Sequence, residues 1–303
     1  MAAESHSAGS TDVVLPPVSK AARRLQWMPD SVGMETDLAR APMFAAGSSA
    51  STQYTLPGPI EAGSLYSYAF SVTAHAGWPT TRDLLVLSDL TGRYAKMGCP
   101  ESGLVPISGR ELCRAAGYPD GGGWQFKEAC ECLMRLRSLT LLHVIPLPGG
   151  SVSARVWGPL DAGFLQSGPD GNSNVRISEQ LARLIREGRL VYLHRETLHE
   201  LFRRDHYAAR LWTFLESESF LTPFKLRLFS APEGEPPEAT YVPAIADLLW
   251  LSGWTRRRKV KERVERAAEV VHEVDPHYRL SVEPARQPSM WNLCISKNEH
   301  VES

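Results

Sequence analysis

The segment Thr255–Val274 places the strongest constraint on how this 303-residue chain can fold. Valine and alanine recur in it at intervals of three and four residues, the spacing of one face of an α-helix. These apolar residues are Val260, Val264, Ala267, Ala268, Val271 and Val274. Basic residues fill most of the other positions in its first half. The pattern predicts a long helix with one side in a core and a basic side in solvent.

The basic residues are concentrated here, because the protein as a whole is almost neutral. Lys and Arg number 33 against 34 Asp and Glu, which gives a net charge of −1. Residues 255–266 alone hold seven basic and two acidic side chains, a local charge of +5. Any nucleic-acid surface is therefore expected to be local to this helix.

A helix-turn-helix places the N-terminal residues of its second helix nearest the bases. A short helix predicted over Pro243–Leu251 and ended by Gly253 precedes the basic helix, with Thr255 as its predicted N-cap. Arginine can pair with guanine and glutamate with cytosine, while further cations contact phosphates. The predicted DNA-binding residues are Thr255, Arg256, Arg257, Arg258, Lys259, Lys261, Glu262, Arg263, Arg266, Arg286 and Lys127.

Taken alone, a charge run on an amphipathic helix is more often a solvated face than a binding site. Here a hairpin predicted over Arg279–Lys297 follows the helix, with Arg286 at its tip. Lys127 belongs to a weaker counterpart in the N-terminal half, the helix predicted over Trp124–Leu139, where three basic residues face two acidic ones. The combination favours DNA contact, with the C-terminal unit supplying most of the affinity.

The same order of elements is predicted twice along the chain. In the first half, three helices precede two short strands. The predicted helices are Thr80–Leu90, Ile107–Ala116 and Trp124–Leu139, and the strands are Leu141–Ile145 and Ser151–Trp157. Helix, helix, helix, hairpin is the order of a winged-helix domain. The windows Arg110–Tyr118 and Ala246–Trp254 also match in their acidic, leucine, glycine and aromatic positions, which favours a duplicated unit.

The predicted fold is therefore α+β, with two tandem winged helix-turn-helix domains. Residues 1–63, rich in Ser, Ala, Gly and Pro, are predicted to form a flexible, disordered tail. Residues 64–174 form the N-terminal domain and residues 175–303 the C-terminal domain, which includes a joining helix over 195–218.

Other functions are disfavoured by what the sequence lacks. Five cysteines at irregular spacing suit neither a disulfide framework nor a zinc site, and no phosphate-binding loop or nucleophile elbow occurs. No run of apolar residues has the length of a membrane span. We expect a cytoplasmic protein that is not an enzyme, needs no cofactor or metal and does not bind membranes.

The segment His206–Glu216 resembles the helix that joins the two domains of the iteron-binding plasmid replication initiators, the Rep and TrfA-like family. The family pattern is Tyr-Ala-x-Arg-Leu-Tyr-x-Leu-Leu, and Trp212 replaces its second tyrosine. Residues 175–179, with Leu181 and Ile185, resemble the stretch that precedes this helix. The similarity covers about Leu65–Lys297.

This resemblance implies a specific function. It implies binding to repeated sites in double-stranded DNA at a plasmid origin, local opening of the duplex, and recruitment of the host replication initiator and helicase proteins. It also implies that the C-terminal winged helix contacts the repeat, while the N-terminal domain makes a homodimer and further DNA contacts.

Three other functional classes are alternatives to a replication initiator. A winged-helix transcriptional repressor would carry the same basic helix. A nicking enzyme of rolling-circle replication would need a His-x-His pair, and none exists in this chain. A pure protein-interaction module would not bind DNA even at low salt.

Overall fold

The computed structural model describes residues 28, 30–45, 53–55, 69–146, 152–164, 172–218, 224–229, 244–286 and 290–297. The helices are α1 (Thr36–Arg40), α2 (Thr81–Lys96), α3 (Gly109–Ala115), α4 (Gly123–Ser138), α5 (Glu179–Arg186), α6 (Arg195–Arg204), α7 (His206–Ser217), α8 (Ile245–Leu248) and α9 (Arg257–Val274). The strands are β1 (Ser31–Glu35), β2 (Gln53–Thr55), β3 (Ala69–Ala74), β4 (Leu104–Ser108), β5 (Leu139–Pro146), β6 (Val152–Trp157), β7 (Leu160–Phe164), β8 (Asn172–Ile177), β9 (Leu190–His194), β10 (Phe224–Arg227), β11 (Tyr278–Pro284) and β12 (Trp291–Lys297).

The first unit follows the order α2, β4, α3, α4, β7, β8. Its three strands form an antiparallel sheet in the order β4-β8-β7, so the last strand pairs with the first. The three predicted helices are confirmed. The second helix begins at Gly109, two residues after its predicted start. A capping box precedes it, in which the Ser108 hydroxyl accepts from the Glu111 N–H at 3.2 Å and the Glu111 carboxylate accepts from the Ser108 N–H at 2.8 Å.

The hairpin predicted after α4 exists, but it does not belong to the sheet of β4. Strands β5 and β6 pair from Leu141↔Trp157 to Pro146↔Val152 and extend a separate sheet in the order β2-β3-β5-β6. The strands that complete the first unit are β7 and β8, which the sequence did not predict. β7 contains Gly163, and its sequence lacks a regular alternation of apolar and polar residues. Its pairing with β8 is also irregular between Leu160 and Ala162.

The second unit repeats this order as α7, β10, α8, α9, β11, β12. Its sheet has the order β10-β12-β11, and again the last strand pairs with the first. The long helix and the final hairpin are confirmed. The helix predicted over Pro243–Leu251 is a single turn, Ile245–Leu248, and β10 was not predicted.

The joining helix predicted over 195–218 is two helices that break at Asp205. This residue has an extended backbone and ends α6, and its carboxylate caps α7 by accepting from the N–H groups of Tyr207 at 2.8 Å and Ala208 at 3.3 Å. The apolar period continues through the break, which is why the sequence pattern gave no sign of it. The predicted domain boundary at 174/175 falls inside β8, a strand of the first unit's sheet.

The prediction of a disordered tail over residues 1–63 is wrong for residues 30–45. β1 pairs with β9 from Ser31↔His194 to Glu35↔Leu190, and every residue of β1 is buried. A Cβ atom at Gly92 of α2 would lie 3.0 Å from the β1 backbone, so the glycine permits this close packing. Apolar stretches this short give no detectable period. The other residues of 1–63, apart from Met28 and β2, lie outside the described residues.

Residues 38–45, which we call the clasp, connect the two units. The guanidinium of Arg210, fully buried on α7, donates to the carbonyl oxygens of Ala39 at 2.8 Å and Ala41 at 2.7 Å. On the side of the first unit, the Ala45 N–H donates to the Pro79 carbonyl at 2.9 Å. On the side of the second unit, the Trp250 indole N–H donates to the Pro42 carbonyl at 2.7 Å.

We expect Arg210→Met to lower the free energy of unfolding by about 3 kcal/mol, because the buried carbonyls of the clasp lose charged donors while the side-chain volume is retained. Urea denaturation measures the loss. Arg183→Met is the matched control, since this arginine on α5 is exposed, pairs with a glutamate just past the end of its own helix, and such pairs contribute little. Equal stability of the two variants would contradict the role given to Arg210.

Candidate nucleic-acid interface

The apolar stripe of α9 faces the core as predicted. Val260, Val264, Ala267 and Val271 are fully buried and Ala268 is 3% exposed, whereas Val274 is partly buried at the end of the helix. The helix packs on α7, on α6 and on β11. Burial of this one stripe fixes the rotation of the helix about its axis, so the charged residues between the valines must point outward.

The chain is exposed at every residue from Ser252 to Lys259. This run carries four basic residues and no acidic one. The helix starts at Arg257, and Arg256 occupies the N-cap position without a side-chain hydrogen bond. Thr255 therefore precedes the cap and does not cap the helix as predicted. The positive end of the helix dipole coincides with the basic run, which strengthens the attraction for an anion.

Most of the predicted cations project from the helix into solvent. Arg258 pairs with Glu262 at 3.0 Å and Lys261 with Glu265 at 2.7 Å, both one turn apart on the helix surface. The remaining exposed cations form no ion pair within the described parts of the chain. They are Arg256, Arg257, Lys259 and Arg266.

Arg257 is exposed but also holds the first turn of α9 to the sheet of the second unit. Its guanidinium lies 5.3 Å from the centre of the Phe229 ring, at the end of β10. One nitrogen contacts the Met290 sulfur at 3.4 Å, next to β12. The side chain thus fixes where the basic end of the helix lies relative to the hairpin.

Arg263 is placed differently from its prediction as a DNA contact. Its guanidinium forms an ion pair with the carboxylate of Asp205 and lies 4.0 Å from the centre of the Tyr207 ring. The Arg263 side chain is 20% exposed and that of Asp205 only 3%. The cation therefore joins α9 to the start of α7 and is engaged within the protein.

Further contacts hold the C-terminal end of α9 to α6 and α7. The Trp212 indole N–H donates to the Asp275 carboxylate at 2.8 Å, and Arg204 pairs with Glu273 at 3.2 Å. The hydroxyl of Tyr278, the first residue of β11, donates to the Glu216 carboxylate. Burial, followed by the nearby Glu216 charge, raises the pKa of Tyr278, so this hydroxyl stays a proton donor.

The turn before α9 is anchored to the first unit. Trp250 has a φ of +58°, a left-handed conformation that is uncommon outside glycine and asparagine. Its ring lies 4.6 Å from that of Trp78, centre to centre, and its N–H bonds to the clasp. These contacts hold the unusual backbone that leads the chain into the basic run. Sequence inspection has no signal for such a conformation at a tryptophan.

The two remaining predicted residues lie on other elements. Arg286 is exposed in the connection after β11, whose residues 287–289 lie outside the described part. Lys127 projects from α4 of the first unit, 79% exposed and 4.0 Å from Glu131. The structure therefore groups the predicted residues 255–266 on α9 and the two residues that precede it, and leaves Lys127 on another unit.

Along α9 the exposed charge changes sign. The first half carries the cations, whereas Glu269 and Glu273 are exposed in the second half. A polyanion lying along the whole helix would meet these carboxylates. The charge distribution favours an approach to the N-terminal end, where the cations and the helix dipole act together.

Comparison with solved structures identifies the fold as that of a known two-domain arrangement. The chain is similar to a selenomethionine derivative of domains 2 and 3 of RctB, with a TM-score of 0.56 at 12% identity, over 87% of this chain and 98% of that one. A second structure of RctB domains 2–3 gives a TM-score of 0.50 at 12% identity, over 86% and 96%. At this identity the likeness establishes the fold.

No family model matches the sequence, and the search of curated proteins finds no match either. Among the helices that the structure describes, none combines the length and apolar character needed to cross a membrane. Within the same ranges, no group of three or more His, Cys, Asp or Glu side chains could hold a metal ion.

The ion pair between Arg263 and Asp205 can be tested with a double-mutant cycle. We expect Arg263→Met and Asp205→Asn each to lower the free energy of unfolding by about 2 kcal/mol, because each leaves a poorly solvated partner charge. The double variant should lose at least about 1 kcal/mol less than the sum of the two. Additive losses in urea denaturation, with DNA affinity lost in Arg263→Met alone, would instead make Arg263 a DNA contact.

Proposed function

We propose that the protein is a sequence-specific double-stranded DNA-binding replication initiator that binds repeats at a plasmid origin, helps to open the duplex and recruits host replication proteins. The observation that carries this proposal is the N-terminal end of α9. There an exposed run with four cations and no carboxylate leads into a helix whose opposite side is buried.

We also propose that both units are winged helix-turn-helix domains. The support is their shared order of helix, strand, helix, helix, strand, strand, with the last strand paired to the first in both sheets. In the second unit, α8 and α9 are then the helix-turn-helix pair, and β11 and β12 form the wing. Arg286 lies in the connection between the wing strands, where it would contact the backbone beside the groove.

In this proposal the residues of α9 have separate roles. Arg256, Arg257 and Arg258 enter the major groove first, where arginine can donate two hydrogen bonds to guanine, and Glu262 can accept from cytosine. Lys259, Lys261 and Arg266 contact phosphates and make the affinity salt-dependent. Lys127 on α4 supplies a weaker contact from the first unit.

Two lines of support favour an initiator over a transcriptional repressor. The fold likeness to domains 2 and 3 of RctB extends over 87% of this chain, and RctB is a replication initiator. The segment His206–Glu216 resembles the joining helix of the plasmid initiators. The homodimer and the host helicase and initiator partners are proposed from that resemblance. The cytoplasmic location and the absence of enzymatic activity are proposed from the sequence, from its cysteine pattern and its lack of a catalytic motif.

We expect Arg258→Ala to weaken binding to the specific site by about 1–3 kcal/mol, because a lost two-hydrogen-bond arginine contact to guanine costs this much. The preference for guanine at one position should also fall. Arg203→Ala is the matched control, since Arg203 is likewise an exposed arginine paired with a glutamate on its own helix, α6. Fluorescence anisotropy with DNA flanking the gene measures both; equal affinities would remove α9 from the interface.

The initiator role has its own test. A DNA fragment that carries this gene and its flanking repeats, but no other origin, should replicate as a plasmid in a suitable host, and Arg258→Ala should abolish replication. Direct repeats about two helical turns apart are expected beside the gene. Binding of the flanking DNA with no replication of the fragment would favour a repressor.

A further inference from the structure

One exposed aromatic residue in the basic run has no part in the contacts described so far. Trp254 lies two residues before the N-cap of α9 and is 42% exposed. Its backbone N–H donates to the Leu251 carbonyl at 2.9 Å, which fixes the main chain, but the indole ring makes no ring or cation contact within the described residues. A single exposed apolar side chain is ordinary on a protein surface, so the significance of this one depends on its position within the basic run.

The repeated window allows a comparison between the two units. Trp254 corresponds to Tyr118, the last residue of the matching segment in the first unit. Tyr118 is half-buried, with the Arg82 guanidinium 4.1 Å from its ring centre and the Trp124 ring 5.3 Å away. The ring of the first unit's aromatic residue thus has ring and cation contacts within the protein, whereas the indole of Trp254 has none among the described residues.

The residues around Trp254 indicate which kind of binding partner contacts its ring. The residues from Ser252 to Lys259 are all exposed, and their net charge is +4. A Cβ atom at Gly253 would meet no atom within 4 Å, so the backbone just before Trp254 also borders open space. A partner at this position must be polyanionic and must also offer apolar surface. The DNA backbone has both, in its phosphates and its deoxyribose rings.

We propose that Trp254 is a positioning residue that contacts the DNA backbone next to the base pairs met by α9. Its indole N–H donates to a phosphate oxygen and its ring packs on the adjoining deoxyribose. This inference rests on the proposed function, because it assumes that α9 enters DNA. The contact carries no base information, and it sets the depth and angle at which the arginines enter the groove.

The test compares Trp254→Ala and Trp254→Phe on a short mixed-sequence duplex and on DNA flanking the gene. We expect Trp254→Ala to raise Kd about 10-fold on both, because the hydrogen bond and the apolar contact are both lost. Trp254→Phe, which retains the ring but not the N–H, should raise Kd about threefold. Because tryptophan is uncharged, the dependence of log Kd on log salt should stay unchanged, whereas Lys259→Ala, which removes a phosphate contact, should reduce its slope by about 1.

Met97→Ala is the control, since Met97 is 47% exposed at the end of α2, outside both basic helices, and should leave Kd unchanged. Thermal unfolding checks that each variant is folded. An unchanged Kd for Trp254→Ala overturns the inference and leaves a protein partner for this surface. A loss confined to the flanking DNA, or a reduced salt slope, overturns it as well. Absence of DNA binding by the unaltered protein would contradict the proposed function itself.

Discussion

A buried guanidinium group is stable only when its N–H donors find acceptors, and this requirement fixes how the two units of the protein meet. Arg210 is fully buried on α7, and main-chain carbonyls of the clasp accept from it. These carbonyl oxygens accept from both terminal nitrogens of the guanidinium, so the clasp must stay in place for α7 to remain packed. The same segment bonds Trp250, in the turn before α9. The position of the basic helix thus depends on the end of a short helix and the turn after it, about 210 residues earlier in the sequence.

The residues of α7 that resemble the plasmid-initiator motif contact both α9 and the clasp. Tyr207 lies under the Arg263 guanidinium, and Trp212 bonds to Asp275 just past the end of α9. Arg210, between them in sequence, reaches the clasp. Small residues at 208 and 209 are fully buried, where larger side chains would push the neighbouring elements apart. Each part of the motif therefore has a packing role, and the replacement of tyrosine by Trp212 retains an aromatic ring with a polar donor.

The elements with long apolar periods could be predicted from the sequence, and those without them could not. The valine stripe of α9 specified both the helix and its buried side, and the three helices of the first unit followed from similar patterns. Strands β7 and β10 have four or five residues, too few for a period, and were missed. Residues 30–45 were mistaken for a tail because their burial depends on partners far along the chain, β9 and α7. The break at Asp205 was hidden because apolar residues continue on both sides of it.

The same holds for the candidate site: features set by neighbouring residues could be predicted from the sequence, and contacts with distant residues could not. Spacing alone indicated which residues of α9 point outward, but it could not show that Asp205, far away in sequence, is the partner of Arg263. Because of this pair, not all of the +5 local charge is available to DNA. The pairs of Arg258 with Glu262 and Lys261 with Glu265 are solvent-exposed, and such pairs contribute so little that a phosphate or base can replace the carboxylate. The Arg263 pair is largely shielded from water. If Arg263 contacted DNA instead, the buried carboxylate of Asp205 would lose this partner charge. The cations available to DNA are therefore those nearest the N-terminal end of the helix, together with Arg266, and the structure uses Arg263 to hold that end in position.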